Sequence, residues 1–444
     1  MRSKTSALGV KEDNIKFQVL ENFWVENNNV SNFYWYIRIG DFILEDAKHH
    51  KKVIENAKVW ISIYWVNDLS ELNTKNIIVV VPALTGTAKV FSVISSQWDW
   101  WANIYWNPWN ILDPNENIII GLDYFGGPYD SSAPDKHNLD FYPVPPEKQV
   151  EAWKKALKKL KIENIYTLFG GSNWGWHIHS WLFSNDLIPK KLIPVAGPIA
   201  PTLDAREFFS YQIDFLKYRE NISERLRLNL EKFKDISKIY DYLIESIQKE
   251  INECIENWDD KKAIKIAREI WFLRFLNPTF FDRFYFDKAW KELNFEEAKQ
   301  NVSNYFINEW IKFEQRFSIP SLILLSESIA HANRISPKKY VEKIPKSVDL
   351  IIVSIEDDNL FSSISMVEYF KEVKNLRNKK HHTWKTEILI LKSNEQTKKA
   401  WHDAFLWPDQ MQIISDMIRY FGDLYDSSTP YKHNLDFYTM SPEK

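Results

Sequence analysis

Ser172 lies in FGGSNWGW (169–176), after the apolar run Ile165-Tyr166-Thr167-Leu168-Phe169 and before a stretch with helical spacing. A strand-to-helix turn is where a nucleophile elbow of the G-x-S-x-G type exposes its serine, although Trp174 stands where that pattern has its last glycine. A serine hydroxyl is a weak nucleophile. It needs a base, a group that orients the base, and donors for the oxyanion. In sheet enzymes with this elbow the chain order is serine, acid, histidine. Here the acidic stretch Ile355-Glu356-Asp357-Asp358 comes just after a predicted strand, with the choice among its acids left open by chain order, and His402, in WHDAFL, follows another strand. Both fall beyond the carboxyl ends of strands, where sites collect in open α/β sheets. The oxyanion donors would be the backbone N–H of Asn173 and one from the PALTGT loop, with Leu84 the candidate. Each residue taken alone also has a plain structural explanation: a turn serine or helix N-cap, a solvated loop acid, a structural histidine. Their shared order is what assembles them.

Other chemistries find less support. His177 and His179 are two apart on a predicted helix and so face different sides, which argues against a shared metal. His49-His50 and His381-His382 sit in lysine-rich loops, and no glycine loop suited to cradling phosphate is present. We expect no bound cofactor and no metal. A net charge of -3 gives no electrostatic case for nucleic acid. The first residues lack the apolar core of a secretory signal, no 18-residue apolar run follows, and the single cysteine, Cys254, cannot make an internal disulfide. A cytoplasmic protein with no membrane or nucleic-acid partner is the expectation.

The elements that must position these residues can be read from the apolar periodicity. Val59 to Tyr64, NIIVVVP (76–82), NIIIGL (117–122), Ile165 to Phe169, Leu192 to Ala196, Leu350 to Ser354 and Glu387 to Leu391 read as strands. Tyr36-Ile37-Arg38-Ile39 reads as an edge strand, and Lys148 to Leu160 and Met411 to Tyr420 as helices. Strands alternating with helices predict an α/β class with a mostly parallel central sheet. From about Asp204 the β-branched runs give way to charged residues at helical spacing, as in ERLRLNLEKFKDISKIYDYLIESIQKEI, which predicts a helical insertion. The organisation expected is an N-terminal extension with the edge strand (1–57), a first core part (58–203), a helical lid insertion (204–335), a second core part (336–423) and a tail (424–444). The tail belongs to a repeat: 421–444 matches 125–148 at 17 of 24 positions. That unit is too short for a solenoid and is expected to be a passive duplication.

Tryptophan (20) outnumbers glycine (11), and together they make 31 of 444 residues, close to the ~7% usual for glycine alone. Trp106, Trp109, Trp174 and Trp401 stand where turn chemistry favours glycine. One reading is that a codon decoded as glycine in the source organism is rendered here as tryptophan. The other is a chain that is truly rich in aromatics.

Taken together, these motifs resemble the homoserine O-acetyltransferase family of α/β-hydrolase-fold acyltransferases, over roughly 58–423. The residues that carry the resemblance are Leu84-Thr85-Gly86, Trp100-Trp101 with Trp106-Asn107-Pro108-Trp109 and Asp113, Gly126 to Pro134, and GGSNWG around Ser172. Further along, Ala267-Arg268-Glu269-Ile270-Trp271, Glu309 to Phe313 with Arg316-Phe317, Glu356 to Phe361 and WHDAFL (401–406) continue it. Trp65, Trp106, Trp109, Trp174, Trp271, Trp310 and Trp401 fall where the family has glycine, whereas Trp100, Trp101 and Trp181 fall where it has or tolerates tryptophan. The resemblance implies an α/β-hydrolase fold and a ping-pong reaction with acyl-CoA as co-substrate. Ser172, activated by His402 and oriented through Asp358, would take the acyl group and pass it to the hydroxyl of homoserine. It further implies that Arg268 binds the substrate carboxylate, that Asp403 binds its amino group, and that the protein is a homodimer. Acetyl and succinyl donors stay open, as do hydrolysis by the same triad and a non-catalytic descendant. Departures from the family are Phe275 for a tyrosine and Asp130 and Ala133 for glycines. A genuine indole at position 174 would overpack the elbow.

Overall fold

The long β-branched runs of the sequence end up side by side in one nine-stranded sheet, in the order β1-β2-β3-β5-β4-β6-β7-β8-β9. The computed structural model describes residues 18–25, 28–45, 49–66, 68–82, 86–90, 116–128, 131–134, 142–172, 175–199, 202–287, 291–314, 316–330, 335–356, 358, 361–380 and 386–391. The strands are β1 Gln18–Val25, β2 Asn28–Glu45, β3 Lys51–Val66, β4 Asn76–Val81, β5 Asn117–Leu122, β6 Ile165–Gly171, β7 Pro189–Val195, β8 Asp349–Ile355 and β9 Thr386–Leu391. From β5 to β9 every pairing is parallel, and β1 to β3 join antiparallel at one side. The sheet is therefore mostly parallel, as expected. Val79, Ile118, Ile120, Leu168, Leu192, Leu350 and Ile352 are all essentially inaccessible to solvent, which is the pattern of strands covered on both faces.

Tyr36 to Ile39 belongs to the long strand β2, which pairs with β3 along most of its length and with β1 through Asn28 to Tyr34. The sequence QVLENFWV of β1 has no alternation of apolar and polar residues, so nothing in it announces a strand outside β2.

The helices are α1 Pro146–Lys159, α2 Gly175–Trp181, α3 Leu203–Tyr218, α4 Ser223–Leu230, α5 Lys238–Glu256, α6 Asp260–Phe275, α7 Phe295–Glu314, α8 Ile319–Ala330, α9 Pro337–Lys343 and α10 Ser363–Lys379. Helix α1 starts with proline, whose missing N–H costs nothing there, and ends with Lys158 and Lys159 beside the negative end of the dipole. It buries Val150, Trp153, Ala156 and Leu157. Buried Lys154 reaches from α1 to the end of α2, where its Nζ donates to the carbonyls of Trp181 (2.8 Å) and Asp186 and to Ser184 Oγ. Helices α3 to α9 all fall between β7 and β8. Asp259 caps α6 through the N–H groups of Lys261 and Lys262, and Lys217 of α3 pairs with nearly buried Glu327 of α8 at 2.7 Å. Among the described residues, no helix is long and apolar enough to cross a membrane.

The tryptophan question acquires geometry at Trp65. Pairing between β2 and β3 slips between Ser31↔Val66 and Phe33↔Ile63, so β3 carries an extra residue there, and Trp65 sits in this bulge with φ 68°. Left-handed backbone in a bulge is a position for glycine; a side chain there costs roughly 1–2 kcal/mol. Trp271 behaves differently. It lies in the interior of α6, fully buried against Phe209 and Phe313, and its Nε1–H donates to Gln212 Oε1 at 2.6 Å. Trp106, Trp109, Trp174 and Trp401 lie outside the described residues.

Candidate active site

Strand β6 ends at Gly171 and helix α2 begins at Gly175, so Ser172 stands in the turn between them. Its φ is 65°, a left-handed conformation that a non-glycine residue holds only when its surroundings impose it. What surrounds it is a close backbone contact. A Cβ on Gly197, just past β7, would lie 2.6 Å from Gly175 Cα and 3.3 Å from the carbonyl oxygen of Ser172 itself. A Cβ on Gly175 would meet the Gly197 backbone at 2.3 Å. Only glycine at both places lets the exit of β7 tuck under the elbow. Ser172 is itself nearly buried, at 7% exposure.

Asp358 follows β8 by three residues and is also buried. Its N–H donates to Ile355 O at 3.2 Å, and its Oδ1 accepts the N–H of Phe361 at 2.9 Å, so the carboxylate is held by its own turn. Phe361 packs edge-on against Trp176 of α2, with ring centroids 6.4 Å apart, joining the acid turn to the elbow helix. Gly171, Val195 and Val353 are register partners across β6, β7 and β8. The strand ends that carry Ser172 and Asp358 are therefore two strand spacings apart, about 10 Å, on the same edge of the sheet. Ser172 and Asp358 thus both follow strands that end at the same edge of the sheet.

Part of the loop after β4 is anchored from neighbouring strands. Tyr124 donates to Gly86 O at 3.3 Å, the Ser62 hydroxyl donates to Ala88 O, and Val90 N donates to Tyr64 Oη at 3.0 Å. Three hydroxyls from β3 and the end of β5 thus hold the described part of the loop that carries Leu84 in sequence. Leu84, Asn173, His402 and Asp403 lie outside the described residues.

Arg268 is on α6, 8% exposed, with its guanidinium 4.2 Å from the ring centre of Phe272 and 5.1 Å from that of Phe313. Beside it, Glu269 is buried; burial first, and then the Glu250 carboxylate, push its carboxyl up to about 7 against the opposing charge of Lys265. Lys265 bridges the two carboxylates at 2.5 and 2.8 Å. Sequence reading did not single out Glu269. The two histidines of α2 do face different ways: His177 packs on Trp153 and Trp176, His179 on Tyr340 and Phe370. Burial keeps both neutral, with His179 lowered to about 3. Among the described residues no group of histidine, cysteine and carboxylate side chains could hold a metal.

No protein-family model matches the sequence. The homoserine O-acetyltransferase of Salinibacter ruber is 30% identical over 133 residues, which cover 27% of this chain and 36% of that protein. In three dimensions the homoserine O-acetyltransferase from Staphylococcus aureus matches with a TM-score of 0.59 at 16% identity, over 90% of this chain and 97% of that one. Esterase E22 matches with a TM-score of 0.62 at 14% identity, over 88% and 99%. The chain is similar in sequence to the homoserine O-acetyltransferases, and its fold is that of the α/β-hydrolases. The aligned stretch spans between 31% and 57% of the length of the first four curated relatives. At such low identity, the structural likeness to both transferase and esterase establishes the fold and no more.

Proposed function

We propose that this protein is an acyltransferase that moves an acetyl or succinyl group from acyl-CoA to the hydroxyl of homoserine. The observation that carries the reading is Ser172, held at φ 65° between β6 and α2 in a chain whose sequence relatives are homoserine O-acetyltransferases. In this reaction Ser172 Oγ attacks the thioester carbonyl while His402 takes its proton, and the tetrahedral oxyanion is stabilised by the N–H groups of Leu84 and Asn173. Collapse expels the CoA thiolate, which leaves as the thiol with the proton from His402. The homoserine hydroxyl then attacks the acyl-serine, with His402 again the base. Asp358 fixes the imidazole tautomer, and the roughly 10 Å between the ends of β6 and β8 is the gap that an imidazole would bridge. Arg268 supplies a two-pronged donor for the homoserine carboxylate and Asp403 an acceptor for its ammonium group. No bound cofactor enters this cycle, and the protein acts as a cytoplasmic homodimer in methionine biosynthesis.

Sequence similarity to the acetyltransferases is what favours transfer over hydrolysis, since the two chemistries share the fold. The test is to incubate the protein with acetyl-CoA or succinyl-CoA, with and without homoserine. Release of CoA should depend on homoserine and yield O-acyl-homoserine; equal release without homoserine, with free acid as product, would make it a hydrolase. Ser172→Ala should lower turnover on the order of 10^4-fold or more and abolish labelling by a fluorophosphonate. Labelling that survives the substitution would remove Ser172 from the mechanism.

A further inference from the structure

Buried His179 has no part in the reaction just described, yet its ring connects the elbow to two other elements. Its Nε2 lies 3.3 Å from Gly197 O and its Nδ1 2.7 Å from the Tyr340 hydroxyl, which belongs to α9. A carbonyl only accepts, so Nε2 carries the hydrogen and donates it to Gly197. Nδ1 of the neutral ring then accepts the Tyr340 O–H. Stacking on Phe370 (5.2 Å) and an edge contact with Tyr340 (5.4 Å) fix the plane of the imidazole.

The place where this bond lands gives it meaning. His179 is four residues after Gly175 on α2, hence on the same face of that helix. Both face the turn at 196–197, Gly175 through the backbone contact described above and His179 through its ring. That turn is itself bent: Ala196 has φ 46°, and its N–H donates to Val353 O of β8 at 2.7 Å. Gly197 abuts the carbonyl of Ser172. A serine in left-handed backbone keeps that conformation only while its neighbours leave it no alternative.

We infer that His179 is a positioning residue for Ser172: by holding the Gly197 carbonyl, it clamps the β7 exit turn beneath the elbow and keeps the serine in its strained, reactive conformation. This rests on Ser172 being the nucleophile. It predicts a loss in the rate of serine acylation without a loss of substrate affinity.

The experiment compares His179→Leu, which keeps an apolar body beside Phe370 but cannot donate, with His179→Gln, whose amide N–H can. The readouts are the second-order rate of fluorophosphonate labelling at Ser172, kcat and KM in acyl transfer, and the thermal midpoint. His179→Leu should label about tenfold or more slowly while folded, with kcat reduced and KM unchanged, and His179→Gln should regain most of the rate. A folded His179→Leu protein that labels like wild type overturns the inference, as does equal slowing in both variants. If His179→Leu does not fold, Tyr340→Phe provides the second route. It removes the O–H that selects the tautomer and should slow labelling by a smaller factor; an unchanged rate counts against the clamp. Absence of labelling in the wild type would instead remove the nucleophile reading, and this inference with it.

Discussion

Among the residues with left-handed backbone, Ser172 and Trp65 invite opposite explanations. Ser172 at φ 65° sits where a reactive hydroxyl gains from being held in a tight turn, with a glycine-to-glycine contact beneath it. Trp65 at φ 68° sits in a bulge of β3, far along the chain from Ser172, Asp358 and His402. Glycine in the native protein would account for that angle. Replacing the indole by hydrogen mixes backbone relief with lost burial, so the informative comparison is between two truncations. Trp65→Gly should be more stable than Trp65→Ala by about 1 kcal/mol in denaturant titration, the reverse of the usual order in a strand. Equal stability, or alanine the better, would show that this bulge does not call for glycine. Mass analysis of peptides from the source organism reads the residue directly. Trp271 limits how far the recoding idea extends, because its indole is buried and hydrogen-bonded in a helix interior.

At the scale of elements, the strands were legible because burial on both faces demands continuous apolar runs, and β4, β5, β6, β7, β8 and β9 each has one. The order of serine and acid along the chain was legible too, since each follows such a run. What periodicity does not encode is who meets whom. His179 and Tyr340 are 161 positions apart, and nothing in either local sequence announces the other. Nor did composition reveal that Glu269 shares half-buried Lys265 with Glu250, because such a trio looks like an ordinary charged helix face until the helices pack. The seam between α2 and the exit of β7 is a close backbone contact directly at the elbow. Gly197→Ala places a methyl carbon 2.6 Å from Gly175 Cα, and the backbone must separate. The expected cost is about 1–3 kcal/mol or more in stability, with loss of Ser172 labelling at temperatures where the variant is still folded. Retained labelling would mean that the elbow does not lean on this seam.

For the molecule as a whole, buried ionisable groups set how stability depends on pH. Glu269 has its carboxyl raised to about 7 by burial and by Glu250, against an ordinary value of 4.5. Between those two values the folded protein keeps a proton that the unfolded chain has released, so this group makes stability fall as pH rises from 4.5 to 7. His177 and His179 act in the opposite sense. Below about 6.5 the unfolded chain takes up protons that the buried rings refuse, so their contribution falls as pH drops through that value. Glu269→Gln deletes the first dependence and leaves the second. Relative to wild type, the variant should gain on the order of 2 kcal/mol between pH 5 and pH 7, read from urea titrations at both ends. A constant difference across that range would show that Glu269 ionises as an exposed carboxylate does.

The placement of α3 to α9 between two neighbouring strands has a temporal side. β7 and β8 pair directly, yet on the ribosome β7 emerges first, and about 150 residues must follow before β8 can join it. At a synthesis rate of roughly 5–20 residues per second, the edge formed by Leu192, Ile193 and Val195 waits on the order of ten seconds for its partner. During that wait the growing chain presents a sticky, unclosed margin. Its protection depends on how quickly the intervening helices gather over it, which makes the nascent polypeptide more vulnerable to misassembly than the finished protein.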